Sequence, residues 1–156
     1  MPSFNQGQYI EESIRAILLQ GYPNIEFIII DGGSNDGTSE IIEKYKSYIS
    51  HYVSEPDNGQ SHAINKGFAQ ATGDIYYWIN SDDFPGKNVF GHVAEDFNRL
   101  PQVEVLYGPC YYSYEIGNVK DLVTPIEFSL DKLLISNYIC QPSTFFRSEL
   151  LSLIHI

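Results

Sequence analysis

The sequence predicts an α/β fold in which a largely parallel sheet is flanked by helices. Two patterns carry that expectation. Short, nearly all-apolar runs are of the kind buried on both faces of a parallel sheet. Alternating with them are longer stretches whose apolar residues recur at helical spacing. A third observation bounds it: the chain has 156 residues, 43% of them hydrophobic. That suits one domain, or a piece of a larger one, with a sizeable core.

Over 8–20, Ile10, Ile14, Ile17 and Leu18 share one helix face, and Gly21 and Pro23 end the helix. Residues 26–30 predict a buried strand, and 31–37, Asp-Gly-Gly-Ser-Asn-Asp-Gly, a turn-rich loop. Thr38 or Asp36 caps a helix carrying Ile41, Ile42 and Tyr45. A strand over 48–53, a loop over 55–59 and a helix over 61–71 follow, the last with Ala63, Ile64, Phe68 and Ala71 on one side. Thr72, Gly73 and Asp74 stop that helix before a second buried strand, 75–79, which runs directly into Asn80-Ser-Asp-Asp83. Pro85 opens a helix that turns Val89, Phe90, Val93 and Phe97 inward. The remainder reads as a strand at 103–107, a hairpin over 110–123 turning at Gly117 and Asn118, a short helix at 130–135 and a last strand at 143–146.

With 9 basic and 20 acidic residues the formal charge is −11. Nucleic-acid affinity rests on Lys and Arg neutralising phosphates, so a nucleic-acid partner is excluded, and an anionic membrane surface is disfavoured for the same reason. The longest apolar runs, 27–30 and 75–79, fall far short of the roughly 20 residues of a membrane span. The start, Met-Pro-Ser-Phe-Asn, has no signal-peptide pattern. Cys110 and Cys140 lack metal-ligand spacing and read as reduced thiols of a cytoplasmic protein, with a single disulfide left open.

Ligands of open α/β sheets gather beyond the carboxyl ends of the strands. Two apolar strands end there in carboxylates, one at Asp31 and one at Asp82 and Asp83, and the Pro2–Asn5 turn precedes a helix at the same edge. Adjacent carboxylates repel one another, and a hard divalent cation relieves the repulsion. Mg²⁺ or Mn²⁺ takes one or two carboxylates and completes its shell with substrate phosphates. The alternative is a solvated turn in which Asp83 caps the next helix. The loop 31–37 is either a base- or ribose-binding loop with Asp31 as acceptor, or an ordinary strand-to-helix turn using Gly for positive φ. It is neither a P-loop nor a dinucleotide fingerprint. Residues 57–61, Asp-Asn-Gly-Gln-Ser, open a helix whose N–H groups could meet an anion. Lys66 on that helix is a charge partner for phosphate or a plain solvated lysine, and His62 a base or a capping residue. Ser3, Ser61 and Ser143 form no hydrolase triad. Tyr76, Tyr77 and Trp78 read as core; Tyr111, Tyr112 and Tyr114, in the hairpin, are candidates for contacting a sugar.

In order along the chain, five segments resemble the inverting family 2 glycosyltransferases of the GT-A fold: residues 2–10, 28–38, 57–67, 71–74 and 80–83. The segment 139–147, Ile-Cys-Gln-Pro-Ser-Thr-Phe-Phe-Arg, is similar to the acceptor side of that group. The resemblance implies transfer of a sugar from a nucleotide-sugar donor, a UDP-sugar first among the candidates, to a glycan or lipid-linked sugar acceptor in cell-surface polysaccharide synthesis. It implies that Pro2, Ser3, Phe4, Asn5, Asp31, Asn58, Gly59, Lys66, Ser81 and Asp82 bind the donor. Asp83, with Asp82, would hold Mg²⁺ or Mn²⁺ against the diphosphate. Many relatives carry a second acid after the one matching Asp31. Here Gly32 stands in its place, which puts base selection by that position in question.

The resemblance also divides the chain into a donor-binding part, 1–100, and the start of an acceptor-side part, 101–156, of one incomplete domain. Members of the group begin with an apolar strand before the Pro-Ser-Phe-Asn turn, whereas only Met1 precedes it here. They place their general base beyond the acceptor-side segment. Glu149 is the only acid after Arg147 and lies outside that motif, so the catalytic base is unassigned. Other readings are a nucleotide-sugar or metal-binding module without turnover and, second, a nucleotidyltransferase, for which Gln6-Gly7-Gln8 is a poor phosphate loop. A homo-oligomer, and a cytoplasmic site at the inner face of the membrane, are left open.

Overall fold

A computed structural model describes residues 1–115 and 118–153, the side chains of 114, 115, 118–120, 152 and 153 excepted. Three parallel strands, β1 (Pro2–Ser3), β2 (Ile28–Asp31) and β3 (His51–Ser54), form one sheet in the order β1-β2-β3. Between them run α1 (Ile10–Leu18) and α2 (Thr38–Lys44), and α3 (Gln60–Gln70) follows β3. The register sets Pro2 against Ile30, Ser3 against Asp31 and, on the other side, Asp31 against Ser54. All three strands therefore end at one edge.

The core follows from the alternation of β2. Phe27 and Ile29 point to one face and pack with Ile10, Ile14 and Ile17 of α1 and Ile42 of α2. Ile28 and Ile30 point to the other face, against Ala63 of α3. Gly67 also faces this side of β2, where a Cβ would meet the Ile30 side chain at an ordinary contact distance of 3.7 Å. Each buried Ile contributes about 1.5–3 kcal/mol of transfer free energy, so a strand buried on both faces anchors two helical layers. α1 carries Glu11 and Glu12 in its first turn and Arg15 in its last, which suits its dipole.

The second half is antiparallel. β4 (Ile75–Tyr76) and β5 (Val105–Tyr107) flank β8 (Thr144–Arg147) in the order β4-β8-β5, while β6 (Cys110–Glu115) pairs with β7 (Asn118–Val123) in a hairpin. The tip residues 116 and 117 of the expected hairpin turn lie outside the described residues. α4 (Val89–Arg99) and α5 (Leu130–Ile135) complete the elements. α4 starts four residues after Pro85, behind Asn88 at φ 59°, and buries Phe97. Tyr77 stacks on Phe145 at 4.3 Å and Tyr76 on Phe68 at 5.4 Å; both are half-buried, where the sequence suggested core.

Four strands are shorter than the sequence suggests: those expected over 48–53 and 103–107 are seen at 51–54 and 105–107, and the other two border one cavity. The strand expected over 75–79 in a largely parallel sheet stops at Tyr76 and pairs antiparallel with β8, outside the parallel sheet. The strand expected over 26–30 begins only at Ile28. Between these two segments lies a cavity of about 500 Å³, lined by both. β1 reaches only its rim. Ile30 N donates to Met1 O at 3.0 Å, and the Met1 amine donates to Ile28 O at 2.8 Å.

Burial of that amine pushes its pKa down from 8.0 to about 5. The folded chain keeps it neutral, whereas the unfolded chain takes up a proton as pH falls through 8.0. Stability from this group is therefore full above pH 8 and falls as pH drops toward 5, by up to about 4 kcal/mol. The carboxyls of Asp36 and Glu55, held below their ordinary values of 3.8 and 4.5, act below this window. Urea unfolding of the 156-residue chain at pH 8 and pH 5.5 should show the loss; equal midpoints would refute it.

Candidate functional site

Four turns converge at the edge where β1, β2 and β3 end. Asp31 closes β2 and is 0% exposed. Its carboxylate accepts from the Ser54 hydroxyl at 2.6 Å, from Ser34 N at 2.9 Å, from Gly33 N at 3.2 Å and from the Ser34 hydroxyl. The charge is thus satisfied from within, as burial requires. Asp31 fixes the loop 32–37 and ties it to β3.

The first turn is laced to that loop. Asn5, at φ 51°, donates from its N to Ser34 Oγ at 2.8 Å and accepts from Asn35 N at 3.0 Å. Gln6 N donates to Thr38 Oγ1 and Gly7 N to Asp36 Oδ2, each at 2.9 Å. A Cβ on Gly7 would lie 2.8 Å from the Asp36 carbonyl oxygen, so only Gly lets the two backbones approach. Of the two caps offered for α2, Asp36 makes the bond, accepting from Thr38 N at 3.1 Å. The Thr38 hydroxyl first, and Gly7 N second, hold the Asp36 carboxyl below its usual value. Phe4 projects from this turn, 60% exposed, while the Ser3 hydroxyl is buried without a partner among the described residues.

The third turn, 55–59, leans on the second. Gly33, at φ 83°, faces Pro56 N, and the Asp57 carboxylate lies 3.1–3.3 Å from where a Cβ on Gly32 would sit. Asp57 Oδ1 also accepts from Gly59 N at 2.7 Å, and Asn58 N donates to His62 Nδ1 at 3.0 Å. His62 is therefore a capping residue at the start of α3. Lys66 donates to Glu55 Oε1 at 2.7 Å and holds that carboxyl down; it is an ion-paired lysine here, not a solvated one.

The fourth turn follows β4. Gln60 Nε2 donates to Asn80 Oδ1 at 2.6 Å, joining it to the start of α3. Ser81 is buried, and its carbonyl accepts from the buried Ser13 hydroxyl of α1 at 2.9 Å. Asn80 Nδ2 donates to Asp83 Oδ2 at 3.1 Å. Asp82 is exposed and Asp83 half-buried. Burial raises the Asp83 carboxyl, the Asn80 bond offsets part of that, and the Asp82 charge adds to the rise. Cys110 lies within electrostatic reach of Asp83, its thiol pushed up to about 12 by burial first and by Cys140 second.

The structure thus gathers the first turn, the Asp31 loop, residues 57–60 and residues 80–83 by direct contacts. Ser13, Asp57, Gln60 and Asn80 do the joining. Ser13 could have been found as the polar residue between Ile10, Ile14 and Ile17; Asp57 and Gln60 sit in a motif already noted. The edge is acidic, and Lys66 of α3 is paired with Glu55. An anionic ligand would need a cation here. Among the described residues no group of three or more His, Cys, Asp and Glu is placed to hold a metal alone. The Asp82–Asp83 pair still fits Mg²⁺ or Mn²⁺, which takes few protein carboxylates and fills its shell with phosphate oxygens and water.

Among solved structures, TarS of S. aureus matches with a TM-score of 0.75 at 24% identity, over 97% of this chain and 28% of that one. A mannosyltransferase of Pyrobaculum calidifontis, in complex with GDP-Man and Mn²⁺, matches with a TM-score of 0.70 at 20% identity, over 97% of this chain and 44% of that one. These likenesses show the GT-A fold. The uncharacterized glycosyltransferase Rv1514c of Mycobacterium tuberculosis is 30% identical over 96% of this chain and 58% of its own length. Glycosyltransferase GlyG of Streptococcus pneumoniae is 30% identical over 86% and 46%. The chain thus spans about half the length of the curated relatives it matches. No helix among the described residues is long and apolar enough to cross a membrane. The profile of Glycosyl transferase family 2 matches residues 1–151, nearly the whole chain and all four convergent turns, and the chain belongs to that family.

Proposed function

We propose that this chain is the donor-binding part of an enzyme that transfers a sugar from a nucleotide-sugar to an acceptor hydroxyl. The observation that carries the proposal is the attachment of the Asp82–Asp83 turn to the nucleoside-side turns through Gln60 and Ser13. A diphosphate held at the acid pair and a nucleoside held at 2–5 and 31–34 then lie on one rigid edge. Structures of this fold solved with UDP, with UDP-GlcNAc and with GDP-Man support that donor class.

In this reading the Pro2–Asn5 turn receives the nucleoside, with Phe4 offering an exposed aromatic face to the base. Asp31 serves by shaping the loop rather than through a lone pair, since its oxygens are already engaged. Asp57 stands against Gly32, the position where many relatives carry a second acid, and its carboxylate reads the base. Asn58, Gly59 and the N-terminus of α3 face the anion, with Lys66 available if it leaves Glu55. Ser81 and Asp82 border the ribose and diphosphate. Asp83, with Asp82, would hold the divalent cation. That cation supplies neutralisation of charge on the departing nucleoside diphosphate. Tyr111 and Tyr112, both exposed on β6, face a glycan or lipid-linked sugar acceptor. We place the enzyme on the cytoplasmic side, in keeping with free Cys110 and Cys140.

The acid pair is tested by titrating UDP with and without Mn²⁺. Asp83→Asn should weaken binding in Mn²⁺ about tenfold or more, roughly 1.4 kcal/mol, and leave the residual binding in EDTA unchanged. Equal affinity of the wild type with and without Mn²⁺ sinks the metal assignment.

Base reading by Asp57 is tested with UDP against CDP. A carboxylate accepts from uracil N3–H but not from cytosine N3, whereas an amide N–H donates to the latter. Asp57→Asn should therefore lower the UDP-to-CDP affinity ratio by about tenfold, measured by competition calorimetry. An unchanged ratio would remove Asp57 from base selection.

A further inference from the structure

We propose that Cys110 and Cys140 are a redox pair whose disulfide closes the neck of the excursion between β5 and β8. β5 ends at Tyr107 and β8 begins at Thr144, and these two residues face each other in the ladder. Most of the chain between them leaves that sheet: the β6–β7 hairpin, α5 and their connections. The surface of this excursion is open, with Tyr111, Leu122, Phe128, Leu134 and Ile135 each more than half exposed. Little apolar burial holds such a body, so its mobility is set at the neck.

The neck continues the pairing of β5 with β8. Gly108 N donates to Ser143 O at 3.0 Å, and the Ser143 hydroxyl donates to Gly108 O at 2.8 Å. Cys140 is fixed just beyond. Its carbonyl accepts from Ser143 N at 3.2 Å, from the Ser143 hydroxyl at 3.1 Å and from the Thr144 hydroxyl at 2.7 Å. On the facing chain Cys110 opens β6, two residues past Gly108. Paired antiparallel chains keep facing Cα atoms about 4.5–5.5 Å apart, inside the roughly 4.4–6.8 Å that a disulfide spans. Both thiols are free and partly exposed. They adjoin: after burial, the Cys140 thiol is the next cause that pushes the Cys110 thiol up to about 12. Among the described residues no third ligand joins them to hold a metal ion.

A small disulfide of the glutathione class supplies the oxidant. The Cys140 sulfur attacks one of its two sulfurs as thiolate, forming a mixed disulfide and expelling one small thiolate. The Cys110 sulfur then releases its proton and displaces the second small thiolate, which forms the Cys110–Cys140 bond. Two protein thiols are oxidised, one small disulfide is reduced to two thiols, and the two protons end on the departing sulfurs. A thiol that holds its proton at neutral pH is a slow first attacker, which places Cys110 second. The thiol pair and the disulfide are both uncharged, so the charge facing Asp83 is the same in either state. What changes is the freedom of the excursion. That Tyr111 and the rest of the excursion face an acceptor rests on the function proposed above; the bond does not.

The experiment treats the 156-residue chain, Cys110→Ser and Cys140→Ser with oxidised and reduced glutathione at set ratios, at low protein concentration. The oxidised wild type should weigh about 2 Da less, lose both maleimide-reactive thiols, and regain them in dithiothreitol. It should melt about 5–10 °C above its reduced form, because the bond closes a loop of about 30 residues in the unfolded chain. Chymotrypsin, which cuts at the exposed aromatic residues of the excursion, should leave two wild-type fragments joined until reduction, while those of either serine variant separate at once. Any flexible chain with two cysteines forms some disulfide, so the decisive comparison is with 6 M guanidinium chloride. The folded chain should close at a ratio of oxidised to reduced glutathione at least about tenfold lower than the denatured chain. Equal ratios in the two solvents, glutathione adducts on both cysteines, or an oxidised form that melts no higher than the reduced one would overturn the proposal.

Discussion

Asp31 is wholly buried, and a carboxylate cut off from water must take its hydrogen bonds from the protein. It takes them from Ser34, Gly33 and Ser54, and so from the loop after β2 and the end of β3 at once. Ser34 in turn receives Asn5 N, which draws in the turn after β1. Three strand ends are thereby locked by one side chain. The cost of desolvating the charge is offset by several bonds to it, each worth more than a neutral pair. Whatever else it does, this carboxylate sets the shape of the edge through those bonds.

Much of this was legible in advance. The helical stripe at Ile10, Ile14 and Ile17 and the all-apolar run ending at Asp31 have periods that only one burial pattern satisfies. The convergence of the turns after β1, β2 and β3 follows from parallel strands, whereas the 80–83 turn follows a strand of the antiparallel sheet and is joined through Gln60 and Ser13. Less legible were relations between residues far apart in sequence. Nothing local signals that Lys66 meets Glu55, that Ser13 meets Ser81, or that Asp57 fills the space beside Gly32. The shortened strands failed for another reason. Residues 26–30, 48–53, 75–79 and 103–107 have the composition of strands, but a strand's ends are set by the pairing its neighbours provide, which composition does not carry.

The electrostatics of the edge have one sense. Asp36, Asp57, Asp82 and Asp83 stand on or near it, and its basic residue is committed to Glu55. A diphosphate would be repelled from such a surface in the absence of a cation, so binding of the two there would be linked, each raising the affinity of the other by the same factor. The overall charge of −11 adds a weak field of the same sign, screened beyond about 8 Å at physiological salt.

The central place of β8 has a consequence for synthesis. Its partners β4 and β5 are about 70 and 40 residues earlier in the chain, and neither can be paired until Arg147 has left the ribosome. The parallel layer around β2, by contrast, uses only residues up to about 70 and can assemble during translation. Between those two moments the nascent chain exposes Tyr76, Tyr77 and Phe90 without the Phe145 and Phe146 rings that later cover them. Translation at about 5–20 residues per second makes that interval several seconds long. Chaperone dependence during expression, if observed, should track this interval rather than the stability of the finished protein.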